Sequence, residues 1–119
     1  MSQRQIENTI PVLEISDRAR SLAFYRDVLG FAREWDTGSV CSISRDGCRI
    51  MLMVQEKPGP GTVWIGLEGD AIFADVQESG AKILQQPSNK PWAREMKVFD
   101  PDRNIVWLGT DPGGTTQCP

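Results

Sequence analysis

The sequence predicts an α+β fold built from two tandem βαβββ modules. Three features point to it. The order strand, acidic cap, helix, glycine stop, strand occurs twice. Each helix is followed by two β-rich runs joined by a tight turn. A Pro/Gly-rich segment, Glu56-Lys57-Pro58-Gly59-Pro60-Gly61, separates the copies. At 119 residues the chain suits a single domain, read as module one over 8–55, a linker over 56–61, module two over 62–110 and a flexible tail over 111–119.

Module one opens on the apolar run Ile10-Pro11-Val12-Leu13-Glu14-Ile15, a strand. Ser16-Asp17 follows, and a side-chain oxygen there can accept from the first free helical N–H groups. Over 18–29, Leu22, Tyr25 and Leu29 recur at helical spacing, with Phe24 and Val28 beside them. Gly30 supplies the left-handed stop, and Phe31 restarts an extended segment. Strands over 39–44 and 48–54 flank Arg45-Asp46-Gly47, a hairpin signal because both central residues of the favoured turn need positive φ. Module two repeats the order. A strand over 62–67 leads to a Gly69-Asp70 cap, a short helix carries Ile72, Phe73 and Val76, and Ser79-Gly80 stops it. An extended run follows over 81–84. Strands over 94–99 and 105–109 then flank the turn Asp100-Pro101-Asp102-Arg103-Asn104.

The first hairpin bears on the three cysteines. If Asp46-Gly47 form the turn, Arg45 faces Cys48, Ile43 faces Ile50 and Cys41 faces Leu52. Cys41 and Cys48 are then roughly 13 Å apart along the strands, at ~3.3 Å per residue, too far for a disulfide. Structural, reduced cysteines are expected, with Cys118 in the tail.

Composition excludes several functions. The chain has no histidine, which removes Ser-His and Cys-His catalysis and the commonest transition-metal ligand. Thirteen Lys+Arg against sixteen Asp+Glu give a formal charge of -3, the wrong sign for a nucleic-acid partner and weakly favourable to a cationic ligand. No apolar run reaches the ~20 residues of a membrane helix, and the polar start Met1-Ser2-Gln3-Arg4-Gln5 lacks a signal-peptide core. A cytoplasmic location is expected.

Two stretches carry a family resemblance: IPVLEISDRARSLAFYRDVLGF over 10–31 and REMKVFDPDRNIVWLG over 94–109. With the module repeat, they resemble the vicinal oxygen chelate superfamily of glyoxalases, extradiol dioxygenases, and fosfomycin- and bleomycin-resistance proteins. The likeness covers 10–110, and Arg103 stands where the family's turn usually has glycine. Pro11-Val12-Leu13, Arg45-Asp46 and Pro91-Trp92-Ala93-Arg94-Glu95 are most similar to the bleomycin-binding resistance proteins. The resemblance implies a curved, cup-shaped mixed sheet, helices on its outer face, and a homodimer with pockets at the interface.

Catalytic members of that superfamily hold a divalent metal with His and Glu on the inner face of the cup. By resemblance, those positions fall at Ile10, near Thr62 or Val63, and at Trp107. Isoleucine has no lone pair to donate and indole offers only an N–H. No metal and no cofactor are therefore expected, and a binding protein is favoured over an enzyme. Glu14 and Glu95 could face the cup, although solvation or pairing with arginine is the plainer role for each. The alternative is a metal-dependent glyoxalase- or dioxygenase-type enzyme using carboxylate ligands.

Strand parity then sorts the side chains. Val63, Ile65, Leu67, Ile50, Leu52, Val54, Val106 and Leu108 turn toward the helices. Thr62, Trp64, Gly66, Arg49, Met51, Met53, Ile105 and Trp107 turn toward the cup. Trp35 on the second strand and Trp92 before the seventh lie near it. A Trp or Met on a strand is individually as well explained by core packing. Taken together, Trp35, Met51, Met53, Trp64, Trp92 and Trp107 are the expected ligand-binding residues, suited to a planar aromatic antibiotic, cationic ones included.

Overall fold

The computed structural model of the chain describes residues 3–110. The expected tail and Cys118 lie outside them. In module one the elements are β1 (Val12–Ile15), α1 (Arg18–Leu29), β2 (Ala32–Asp36), β3 (Val40–Arg45) and β4 (Cys48–Val54). In module two they are β5 (Thr62–Gly66), α2 (Ala71–Glu78), β6 (Ile83–Asn89), β7 (Arg94–Phe99) and β8 (Ile105–Thr110). The ladders form two four-stranded mixed sheets, β1-β4-β3-β2 and β5-β8-β7-β6. In each, the first strand pairs in parallel with the fourth and the other neighbours are antiparallel.

Local chemistry explains the boundaries. Asp17, in extended backbone, accepts from Arg20 N at 3.0 Å and starts α1. Gly30, at φ 72°, ends it, with its N–H on Arg26 O and the Phe31 N–H on Tyr25 O. Arg45 Nη1 donates to the Leu29 carbonyl at the end of the helix at 2.8 Å, so the hairpin also caps the helix. Asp46 and Gly47 both take positive φ, 52° and 80°, as a two-residue hairpin needs. The register pairs Arg45 with Cys48, Ile43 with Ile50 and Cys41 with Leu52, and both cysteines are free thiols.

The structure departs from the sequence reading in two places. Asp70 makes no side-chain capping bond to α2, and its carboxylate instead lies 4.0 Å from Arg94 Nε. This helix of eight residues is held by burial of Phe73 and Val76 rather than by its cap. The extended run expected over 81–84 begins only at Ile83 and continues to Asn89, passing through Pro87. Strand β6 is an edge strand with register shifts, the setting in which proline's missing N–H is tolerated.

One core serves both modules, joining Leu13, Ile15, Tyr25 and Leu52 to Val63, Val76, Met96 and Val106. A buried polar knot at the second turn fastens them. The Asp100 carboxylate accepts from Tyr25 Oη, Asn104 Nδ2, and the Asp102 and Asn104 backbone N–H groups, each at 2.9 Å. Asn104 Nδ2 also donates to Glu14 O at 2.9 Å, and Asn104 Oδ1 accepts from Gly61 N at 2.7 Å. Arg103, the family's glycine position, sits at φ 67° with its guanidinium 5.6 Å from the Phe99 ring centre.

Candidate functional site

Alternation along the strands separates a core face from an open face on each sheet. On β5, Val63 is buried while Trp64 is 47% exposed; on β8, Val106 and Leu108 are buried while Ile105 and Trp107 face the other way. Lys97, Trp107 and Trp64 lie side by side in one row across β7, β8 and β5. Glu95, Gly109 and Gly66 form the next row.

The two indoles pack edge to face, with ring centres 5.0 Å apart and planes at 88°. Trp64 then leans over Gly109. A Cβ on Gly109 would overlap Trp64 Cη2 and crowd Cζ3, and one on Gly66 would lie 3.5 Å from Trp64 Nε1. The two glycines thus form a bare backbone shelf that seats an indole whose other side is open. Flat aromatic surface of this kind, rigid and half exposed, suits stacking against a planar molecule.

Glu95 anchors the second row. Its carboxylate is almost fully buried and accepts from Trp92 Nε1 at 2.8 Å and Gln85 Nε2 at 3.1 Å, with Lys97 Nζ at 3.9 Å. Burial works to raise its pKa. The Trp92 and Gln85 hydrogen bonds, with the nearby Trp107 N–H and the Lys97 charge, outweigh that and hold it below the usual glutamate range. Trp107 Nε1 is itself buried and falls short of hydrogen-bond geometry with any partner. Glu95 is therefore neither solvated nor paired with arginine, as the plainer sequence reading had it. It is an ionised pin that fixes the otherwise exposed Trp92. Because its folded pKa is depressed, its contribution to stability is complete above the ordinary glutamate range and is lost as pH falls through the folded value. In acid titrations, wild type is expected to lose stability more steeply below that range than Glu95→Gln, measured by urea melts at stepped pH.

The remaining predicted residues lie on the other sheet. Trp35, 43% exposed, pairs with Ser42, which pairs with Met51, and Met53 lies one row along β4. A bulge between Arg33 and Trp35 brings Glu34 to the same face, where it accepts from Ser42 Oγ at 3.0 Å and Arg49 Nε at 2.9 Å. The Ser42 hydrogen bond leads in holding the Glu34 pKa low, with Arg49 adding to it against some desolvation. The six predicted residues therefore fall into two groups. Trp64 and Trp107 pack together on module two, which also carries Trp92, pinned by Glu95, and Trp35, Met51 and Met53 lie on module one. Glu95, Lys97 and Gly109 were not among them, although the parity of β7 and the i+2 relation of Gly109 to Trp107 place them on this face. A cleft of about 340 Å³ between the modules, lined by Leu29, Phe31, Ile65, Leu67 and Ile72, contains none of the six.

The positions where related enzymes hold metal do not fit one. Ile10 precedes β1, Val63 is buried in the core, Thr62 offers one hydroxyl and Trp107 an N–H. No cluster of three or more Cys, Asp or Glu able to hold a metal occurs among the described residues. No described helix is long and apolar enough to cross a membrane.

Paired βαβββ modules with aromatic side chains on the open faces match the architecture of the vicinal oxygen chelate superfamily. The sequence model of the Glyoxalase/Bleomycin resistance protein/Dioxygenase superfamily matches residues 11–108, and the chain belongs to that superfamily. No curated protein sequence matches it. Among solved structures it is similar to the bleomycin resistance determinant encoded on transposon Tn5 (TM-score 0.80, 17% identity, covering 89% of this chain and 98% of that one). It is also similar to TioX from Micromonospora sp. ML1 (TM-score 0.77, 19% identity, 87% and 99% covered). A third is TnmS3, an antibiotic binding protein from Streptomyces sp. CB03234 (TM-score 0.73, 22% identity, 92% and 99% covered).

Proposed function

We propose that the protein is a metal-free small-molecule binder that sequesters a planar aromatic compound, of the kind found among antibiotics, against the Trp64–Trp107 face. The observation that carries this is the seated but open Trp64: an indole packed on Trp107 and a glycine shelf, yet nearly half exposed. A contiguous exposed aromatic patch of this kind marks an interaction site. That TnmS3 is an antibiotic binding protein and the Tn5 protein a bleomycin resistance determinant points the same way.

The opposing wall comes from Trp35, Met51 and Met53 of a second copy, so the working unit is a homodimer with its pockets at the interface. Two features support this. Both aromatic faces are open in a single chain, and Trp35 and Trp64, one on each sheet, are 43% and 47% exposed. Free Cys41 and Cys48 suit a cytoplasmic setting. Sedimentation at micromolar concentration is expected to give a dimer; a strict monomer contradicts the shared pocket.

Fluorescence titration with a panel of planar aromatic compounds tests binding. At least one is expected to quench tryptophan emission, and Trp64→Ala or Trp107→Ala to weaken it by about 1 kcal/mol or more. Absence of quenching across the panel would remove the proposal.

A further inference from the structure

We propose that Lys97 sets the charge of the ligand, so that the pocket selects planar aromatics bearing an anionic or carbonyl acceptor group and disfavours cationic ones. The inference rests on the aromatic-face reading above and specifies which aromatic compounds it takes. Lys97 Nζ lies 5.0 Å from the centre of the Trp107 ring. That is the position a ligand cation would take over an indole. The chain thus supplies its own cation to one of the two indoles of the face.

The neighbouring charges do not reverse this. Glu95 is the only carboxylate within ion-pair distance of Lys97 among the described residues, at 3.9 Å. It is buried, and its oxygens accept from Trp92 and Gln85. It therefore fixes the ammonium from below and presents no free acceptor to a ligand. The Lys97 side chain remains 31% exposed, against 2% for Glu95, so the outermost formal charge of the row is positive. Three rotatable N–H donors, one engaged by a long ion pair, leave capacity for a ligand oxygen. A planar ligand stacked on Trp64 and reaching over Trp107 brings its edge toward the ammonium, which belongs to the next strand but one from Trp64, and a cation at that edge is repelled. An anion or carbonyl there gains a charge-assisted hydrogen bond. This local charge acts at contact distance, whereas the net charge of -3 is spread over the whole chain and screened.

The test is titration calorimetry of the full chain with two planar probes of similar size, anthraquinone-2-sulfonate and the cationic acridine proflavine. Wild type is expected to bind the sulfonate more tightly, by about tenfold. Lys97→Arg, which keeps the cation, is expected to retain the preference, and Lys97→Met, which keeps the stem length, to abolish or reverse it. Tighter binding of proflavine by wild type, or an unchanged ratio in Lys97→Met, overturns the role of Lys97 while leaving the aromatic pocket standing. If neither probe binds wild type, the pocket reading fails and this inference fails with it.

Discussion

Replacing Asp100 with alanine is expected to destabilise the protein by about 3–5 kcal/mol, more than any change on the open sheet faces. The carboxylate is 4% exposed and receives four hydrogen bonds, from Tyr25 Oη, Asn104 Nδ2 and two backbone N–H groups. Alanine leaves those donors buried without acceptors, and each unsatisfied group costs about 1–3 kcal/mol. The effect reaches both modules because Asn104, freed from Asp100, also ties Glu14 O on β1 to Gly61 N before β5. Tyr25→Phe removes one donor and one bond together, so it is expected to cost only about 1 kcal/mol. Urea melts of the three proteins check the ranking. A loss below that of Tyr25→Phe in the Asp100 variant would show that the turn does not fasten the modules. Burial, and then Asp100, push the Tyr25 pKa well above its ordinary value. This contribution is therefore complete below the ordinary tyrosine range and is lost as pH rises through the folded value.

The second large effect belongs to the shelf. Gly109→Ala places a methyl group where Trp64 Cη2 now lies, so the indole must leave its seat. The expected outcome is about 1–3 kcal/mol of destabilisation and loss of the coupled near-ultraviolet circular dichroism of the Trp64–Trp107 pair. Gly66→Ala brings its methyl only to 3.5 Å from Trp64 Nε1, an ordinary contact, and is expected to leave the signal in place. If Gly109→Ala keeps the same dichroism and the same melt, Trp64 is not held as described.

Much of this architecture is readable from local chemistry. The α1 boundaries follow from Asp17 and Gly30, the first hairpin register from Asp46-Gly47, and the inward and outward faces of β4, β5 and β8 from simple alternation. What the sequence hides depends on contacts between distant residues. Asp70 reads as a cap, but its carboxylate lies toward Arg94, a tertiary partner no local pattern announces. Glu95 reads as solvated or arginine-paired, but its acceptors are satisfied by Gln85 on another strand and by Trp92 across a tight loop. Lys97 falls on the right face by parity, yet its position over Trp107 depends on the β7–β8 register. The grouping of the six aromatic and methionine residues was likewise hidden. Parity assigns a face within each sheet and says nothing about how two separate sheets are disposed, and the ladders do not join them.

The indole N–H resonances report whether Trp64 and Trp107 form the ligand-binding face. The chain has four tryptophans, so a ¹H–¹⁵N correlation spectrum contains four such signals, assignable by single substitution. On titration with a planar aromatic compound that binds, the Trp64 and Trp107 signals are expected to shift first and furthest, with Trp35 following as the opposing wall. Binding that leaves Trp64 and Trp107 unmoved would contradict the account.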